Sequence, residues 1–200
     1  SVVRNVLKML REKNIPGKVI LGGPEITGDS AAELGKDPLA DFFVEGEGEI
    51  AFTTVVEALL SEKRVISPPA GTLMRGEDNR LLRGDAADRV DLTRTPSIYE
   101  TNTIPYDLYE NELVFLEFQR GCKYSCSYCV YNKNLKGITK RRLPDIEKEI
   151  KYLLAARNIT SIRIVDPTFS SDLGYAKRIL EIFVGEMEKG NAVKKLMMEY

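Results

Sequence analysis

Apolar residues along this chain recur with two periods, and each change of period marks an element boundary. Val2, Val3, Val6, Leu7 and Leu10 fall at helical spacing. Lys18-Val-Ile-Leu21 then reads as a strand ending in Gly22-Gly23-Pro24, and Asp41-Phe-Phe-Val44 as another, ending in Glu45-Gly46-Glu47-Gly48-Glu49. A helix is predicted next, with Ile50, Val55, Val56, Leu59 and Leu60 turned inward. Helix, strand, short helix, strand, helix is the order of an open, doubly wound α/β sheet, assigned here to residues 1–66. Glycine at both strand ends allows close backbone approach to a ligand, although paired glycines after a strand also serve simple turn chemistry.

The second alternating region begins at residue 112. Glu112-Leu-Val-Phe-Leu-Glu-Phe118 predicts a buried strand. Pro144 opens a helix with Ile146, Ile150, Leu153 and Leu154 on one face and with Asp145 and Glu147 in its first turn, where the helix dipole favours carboxylates. Ser161-Ile-Arg-Ile-Val-Asp166 predicts a strand. Asp172 to Lys189 predicts a helix with Ala176, Ile179, Leu180, Phe183, Val184 and Met187 inward, stopped by Gly190. Lys195-Leu-Met-Met-Glu-Tyr200 predicts a third strand. Such alternation implies parallel strands with right-handed crossovers and ligands at their carboxyl ends, so 120–129, Asp166-Pro167-Thr168-Phe169 and Glu199 are expected on one rim.

Between them, 67–111 has a different texture. Gly71-Thr-Leu-Met-Arg75 and Arg80-Leu-Leu-Arg83, flanking Gly76-Glu-Asp-Asn79, predict a hairpin. From Asp91 the chain is rich in Pro, Thr and Tyr without periodicity, which suits an extended connector wrapping one domain onto the other. Tyr99, Tyr106 and Tyr109 are read as its packing anchors rather than as substrate contacts.

Composition narrows the class. With 200 residues, 43% of them hydrophobic, and a net charge of −1, the chain suits one globular domain or two small ones. No apolar run reaches the roughly 18 residues of a membrane span, and nothing resembles a secretory leader. The basic run Lys133, Lys136, Lys140, Arg141 and Arg142 reads as a solvated loop or a counter-charge for an anionic cofactor, not as a nucleic-acid site.

The chemistry concentrates in Arg120-Gly-Cys122-Lys-Tyr-Ser-Cys126-Ser-Tyr-Cys129, which holds all 3 cysteines of the chain. Three thiols cannot form two disulfides, and loops this short are poor geometry for one. Free thiols point to a reducing, cytoplasmic setting. A structural zinc site needs a fourth ligand, and the sequence has no histidine. Three thiolates with one open coordination position match an iron-sulfur cluster with a non-protein fourth ligand. Buried apolar cysteines, or a zinc knuckle completed by another chain, are the alternative readings.

The C-x3-C-x2-C run, with Arg120-Gly121 before it and Tyr128 just before the last cysteine, resembles the radical S-adenosylmethionine (SAM) superfamily. The resemblance implies that Cys122, Cys126 and Cys129 hold a 4Fe-4S cluster whose fourth iron chelates SAM, with Tyr128 beside the adenine. It implies a partial (β/α)6 barrel, of which 112–200 would supply the first units; the chain then reads as part of a longer protein. Arg142 stands where the superfamily frequently has an arginine. Asp166 and Thr168 end the second strand, where the superfamily often has Gly-Gly-Glu contacting the SAM amino group; here the segment is Asp-Pro-Thr-Phe. Asp166 reads equally as a cap of the following loop. Glu199, at the third strand end, is a candidate for the SAM ribose.

Gly22-Gly23, followed about twenty residues later by Val44-Glu-Gly-Glu-Gly-Glu49, resembles the C-terminal half of the cobalamin-binding domain that precedes the radical SAM domain in one large class. There the Gly-Gly loop lies near the nucleotide tail of cobalamin. No histidine of this chain can ligate cobalt. The resemblance therefore implies a 4Fe-4S cluster and SAM as cofactors, and admits cobalamin as a third. It implies cleavage of SAM to a 5'-deoxyadenosyl radical, with C-methylation of an unactivated carbon the commonest outcome in the class and ring rearrangement or peptide modification the others. A small-molecule or peptide substrate and a reductant such as flavodoxin or ferredoxin are the partners expected, with no membrane and no nucleic acid. The reading from a different class is a non-catalytic metal-binding or electron-transfer module.

Overall fold

A computed structural model describes residues 2–26, 39–61, 65–110, 112–129, 131, 137–155, 159–190 and 195–198. The chain divides into two compact units, Ser1–Val90 and Asp91–Tyr200. The short helix expected between the first two strands, and Glu199, lie outside the described residues.

In the first unit, helix α1 (Val2–Glu12) leads to β1 (Ile20–Leu21), which pairs in parallel with β2 (Phe42–Val44). Helix α2 (Gly48–Leu60) follows. The predicted hairpin forms as β3 (Thr72–Arg75) and β4 (Leu81–Arg83). It also joins the sheet before it: β3 pairs antiparallel with β2, giving one sheet in the order β1-β2-β3-β4. A hairpin with one apolar strand needs a partner to bury that strand, and Thr72, Leu73 and Met74 are buried against the sheet. The helix faces are narrower than the spacing predicts. Leu7 alone is buried in α1, leaving Val2, Val3 and Val6 exposed; in α2 the buried residues are Ala51 and Val55, while Ile50 and Leu60 face solvent. An apolar stripe is covered only where another element lies over it.

The second unit holds a parallel sheet in the order β5-β8-β9, made of β5 (Leu113–Leu116), β8 (Ser161–Ile164) and β9 (Lys195–Met198). A two-stranded antiparallel ribbon, β6 (Gln119–Arg120) with β7 (Thr139–Lys140), branches from the end of β5. Helices α3 (Leu143–Leu154) and α4 (Leu173–Glu188) are the crossovers. Ile146, Ile150 and Leu153 of α3 and Ile179 and Phe183 of α4 pack with Val114, Leu116, Ile162 and Ile164 in one core. Val184 and Met187 of α4 are exposed, contrary to the periodicity, and Glu186 is buried instead, joined to Lys189 at 2.7 Å. The first strand is buried on one face only: Phe115 is 52% exposed between buried Val114 and Leu116. Phe115, Arg163 and Met197 are cross-strand partners, so they share the face turned away from the core.

The segment from Asp91 onward belongs to this unit. Tyr99 and Tyr109 are buried in its core, in edge-to-face contact at 5.1 Å. The Tyr99 hydroxyl donates to Phe115 O at 2.9 Å and accepts from Phe115 N at 3.1 Å. One phenol thereby satisfies both backbone groups of a residue on an edge strand. Tyr99→Phe is expected to destabilise the protein by about 1–2 kcal/mol, read as a lower denaturant midpoint; an unchanged midpoint would deny the hydroxyl that role.

Candidate functional site

The cysteines lie on an excursion closed at its base by the β6–β7 ladder, which sets Arg120 opposite Thr139 and Gln119 opposite Lys140. Gly121 opens the excursion with φ +99°, and a Cβ there would stand 2.0 Å from Gly137 O. Only glycine fits, because both the left-handed backbone and the contact with another backbone exclude a side chain. Cys122 and Cys129 are half-buried and Cys126 is exposed; none of the three is in a disulfide. Cys129 N donates to Cys126 O at 3.1 Å in a turn, and Tyr124 N points at Cys122 Sγ at 3.4 Å. Among the described residues, no three Cys, Asp or Glu side chains stand close enough to share one metal ion. The loop therefore presents thiol donors of the right kind and number for a three-thiolate cluster without having gathered them.

A set of buried polar groups holds the chain that enters this loop. Asp166, at the end of β8, is fully buried, and its Oδ1 accepts from Phe118 N at 2.8 Å. Burial pushes its carboxyl up to about 7, against the pull of the Phe118 and Gln119 N–H groups. Asp166 thus reaches across to the strand leading into the cysteines instead of capping its own loop. Its Oδ2 and the Thr168 hydroxyl are buried with no hydrogen-bond partner among the described residues. Gln119, also fully buried, donates from Nε2 to Thr168 O at 2.6 Å. Phe118 O accepts from Arg141 N at 2.9 Å, and the Tyr175 hydroxyl lies 3.0 Å from Phe118 O and 2.8 Å from Arg141 O. Burial raises the pKa of Tyr175 well above that of a free phenol, so the group stays a donor.

The basic run divides by environment. Arg141 is buried and pairs with Glu149 of α3 at 2.5 Å while donating to Glu117 O at 3.3 Å. Arg142 is solvent-exposed and held by Asp145 at 2.7 and 3.1 Å in the first turn of α3. Lys140 pairs with Asp172 at 2.5 Å and sits over the Tyr175 ring. Lys133 and Lys136 lie outside the described residues. Tyr128 is 86% exposed, and its hydroxyl pKa is raised first by a hydrogen bond to Cys126 and then by the repulsion of the negative charge that the Cys126 sulfur carries when ionised. Gln119, Arg141, Glu149 and Tyr175 were not site candidates on sequence. Glu149 did carry a signal: it falls on the apolar stripe of α3, between Ile146 and Leu153, where an acid must find a buried partner.

In the first unit, Gly22, Gly23, Gly46 and Gly48 line a cleft of about 500 Å³ with Ile20, Val44, Glu49 and Phe52, at the carboxyl ends of β1 and β2. Gly23 has φ +108°. Two acids of the 45–49 segment have structural partners: Glu45 pairs with Arg83 at 3.2 Å, and Glu47 accepts from Val90 N at 3.0 Å.

No family model matches the chain. It is 28% identical over 185 residues to the cobalamin-dependent radical SAM methyltransferase TokK of Streptomyces tokunonensis, covering 88% of this chain and 26% of TokK. It is 27% identical to a 2-(S-pantetheinyl)-carbapenam-3-carboxylate methyltransferase of Streptantibioticus cattleyicolor, with 88% and 26% covered. Its fold matches the cobalamin-dependent SAM radical enzyme OxsB at TM-score 0.66 and 18% identity, over 97% of this chain and 27% of OxsB. It matches the radical SAM methyltransferase TsrM of Kitasatospora setae at TM-score 0.65 and 19% identity, over 93% of this chain and 36% of TsrM. The resemblance carried by the cysteine motif and by Gly22-Gly23 therefore holds over nearly the whole chain, in sequence and in fold. The chain spans about a quarter of TokK and of the carbapenam methyltransferase.

Two outcomes follow from the geometry. The raised Asp166 carboxyl keeps in the folded state, between about pH 4 and about pH 7, a proton that the unfolded chain has lost. Stability that Asp166 contributes at about pH 4 and below is lost as pH rises toward 7 and then levels off. Asp166→Asn is expected to flatten this slope in denaturant melts taken across that range; an unchanged slope would place the titration elsewhere. Gly121→Ala is expected to cost about 2 kcal/mol or more in the same melts, and a variant as stable as the parent would show that the tight contact with Gly137 does not form.

Proposed function

We propose that this chain is the cofactor-holding part of a radical SAM enzyme, with Cys122, Cys126 and Cys129 as ligands of a 4Fe-4S cluster and the reaction a cobalamin-linked methylation of an unactivated carbon. The observation that carries it is a loop of three thiols, none of them in a disulfide, that leaves the carboxyl end of a parallel strand whose partner strand leads into Asp166 and Thr168, each with a buried oxygen that has no hydrogen-bond partner among the described residues. When bound, a 4Fe-4S cluster supplies the electron that cleaves SAM to methionine and a 5'-deoxyadenosyl radical.

The chain's own residues would bind, orient and exclude. Asp166 Oδ2 and Thr168 Oγ1 are polar atoms buried without compensation, an arrangement that costs stability unless a ligand group pairs with them. The SAM amino group, a donor of three hydrogen bonds, suits the carboxylate. Tyr128 and Arg142 are exposed on the same unit and available to the adenine and to an anionic group, and Glu199 is assigned to the ribose. The sheet face bearing Phe115, Arg163 and Met197 would line the interior of a partial (β/α)6 barrel. A small molecule would meet the radical there.

The glycine-lined cleft of the first unit suits the nucleotide tail of cobalamin, because Gly22 and Gly23 leave it without side-chain walls on one side. Residues 1–66 are then the C-terminal part of the cobalamin-binding-like domain and 112–200 the first units of the barrel, while 67–111 is shared out, its hairpin on the sheet of the first unit and its Tyr-rich part in the second. A cobalt ligand would not come from this chain, which has no histidine. An external reductant, of the flavodoxin or ferredoxin kind, would deliver the electron. No helix among the described residues is long and apolar enough to cross a membrane.

The test is anaerobic reconstitution of the full-length protein with iron and sulfide, followed by assay for 5'-deoxyadenosine. Cluster assembly and SAM cleavage are expected in the parent, with loss of both in each of Cys122→Ala, Cys126→Ala and Cys129→Ala. A folded protein that assembles a cluster and cleaves no SAM would count against the enzyme. Stoichiometric zinc in anaerobically purified protein would favour a structural metal module.

A further inference from the structure

A glutamine with no exposed surface is costly unless its amide is fully engaged. Gln119 is such a residue, three positions before the first cysteine. Its backbone lies in the ribbon that closes the cysteine loop. Its side chain crosses to the turn after β8, donating to Thr168 O at 2.6 Å and to Ser171 Oγ at 3.1 Å, with Oε1 3.4 Å from the same hydroxyl. Two features separate this contact from ordinary packing.

The turn does not need Gln119 in order to close, because Thr168 O already accepts from Ser171 N at 2.9 Å. What the amide adds is a fixed separation between that turn and the strand entering the loop. The turn also carries the Thr168 hydroxyl, buried without a partner, two residues from Asp166, whose Oδ2 is in the same condition. Gln119 thus ties the chain that presents the thiols to the chain that presents the unpaired oxygens.

We infer that Gln119 is a positioning residue, which sets the distance between the cysteine loop and the Asp166–Thr168 turn and so governs how tightly SAM is held, without itself touching SAM or the cluster. This rests on the proposed reading of the site. If a ligand bridges two walls, its affinity depends on their spacing, while assembly of a cluster on one wall does not.

The experiment uses the full-length protein, reconstituted anaerobically, in the parent and in Gln119→Met and Ser171→Ala. Methionine keeps the volume and loses the donor; Ser171 is half-buried and its loss leaves the bond to Thr168 in place. Iron and sulfide content, the Kd for SAM from the change in the electron paramagnetic resonance spectrum of the reduced cluster, and the rate at saturating SAM are measured. Gln119→Met is expected to keep its iron and its saturated rate while weakening SAM about tenfold, the equivalent of one hydrogen bond. Ser171→Ala is expected to weaken SAM about threefold. A parent that assembles no cluster or binds no SAM would overturn the proposed function itself. With a competent parent, an unchanged Kd in Gln119→Met, or loss of iron from it, would overturn the positioning role. If that variant fails to fold, an unchanged Kd in Ser171→Ala does so.

Discussion

The hydrogen bond from Phe118 N to the buried carboxylate of Asp166 is the contact on which the rest of the candidate site depends. At Leu116 the chain leaves the parallel sheet, and within five residues it must become the first strand of an antiparallel ribbon and turn through Gly121 into the cysteine loop. A backbone leaving a sheet loses its ladder partners, and buried peptide groups without partners are costly. Here they are answered by side chains and backbone from elsewhere in the unit. Phe118 N goes to Asp166 at the end of β8, Phe118 O to Arg141 N and to Tyr175 of α4, and Glu117 O to the Arg141 guanidinium. The thiols are mounted on a support drawn from three segments of the unit.

That support explains the buried charges. Arg141 and Glu149 form an ion pair with little access to water, an arrangement that adds little net stability over apolar residues of similar size but fixes geometry. Among the described residues Asp166 forms no ion pair, and burial raises its carboxyl to about 7 against the weaker pull of the Arg141 charge. A fold built for stability alone would not hold a carboxyl with one oxygen unanswered. The same reasoning applies to the Thr168 hydroxyl, and both atoms lie on the turn tied to the cysteine strand by Gln119.

Much of this was legible in the sequence, for a definable reason. Features set by local periodicity or by residue type were readable: the α3 stripe of Ile146, Ile150 and Leu153, the alternating strands and helices, and the three thiols without competing ligands. Features set by distant partners were not. Gln119 meets Thr168 and Ser171 some fifty residues on, and nothing in its neighbours marks it as buried. The Phe115 side chain sits in an apolar run that reads as wholly buried, yet only one face of its strand is covered by helices. The hairpin from Thr72 to Arg83 was recognised as a hairpin, but its pairing with β2 depends on a long-range edge that local patterning does not encode.

In the proposed enzyme the three thiols converge on one cluster whose open position takes SAM. Electron-nuclear double resonance of the reduced, full-length protein, with SAM labelled at its amino nitrogen and carboxylate oxygen, addresses it most directly. Hyperfine coupling from both labelled atoms to a 4Fe-4S signal that disappears in Cys126→Ala is expected. A 4Fe-4S signal with no coupling to either label would contradict it.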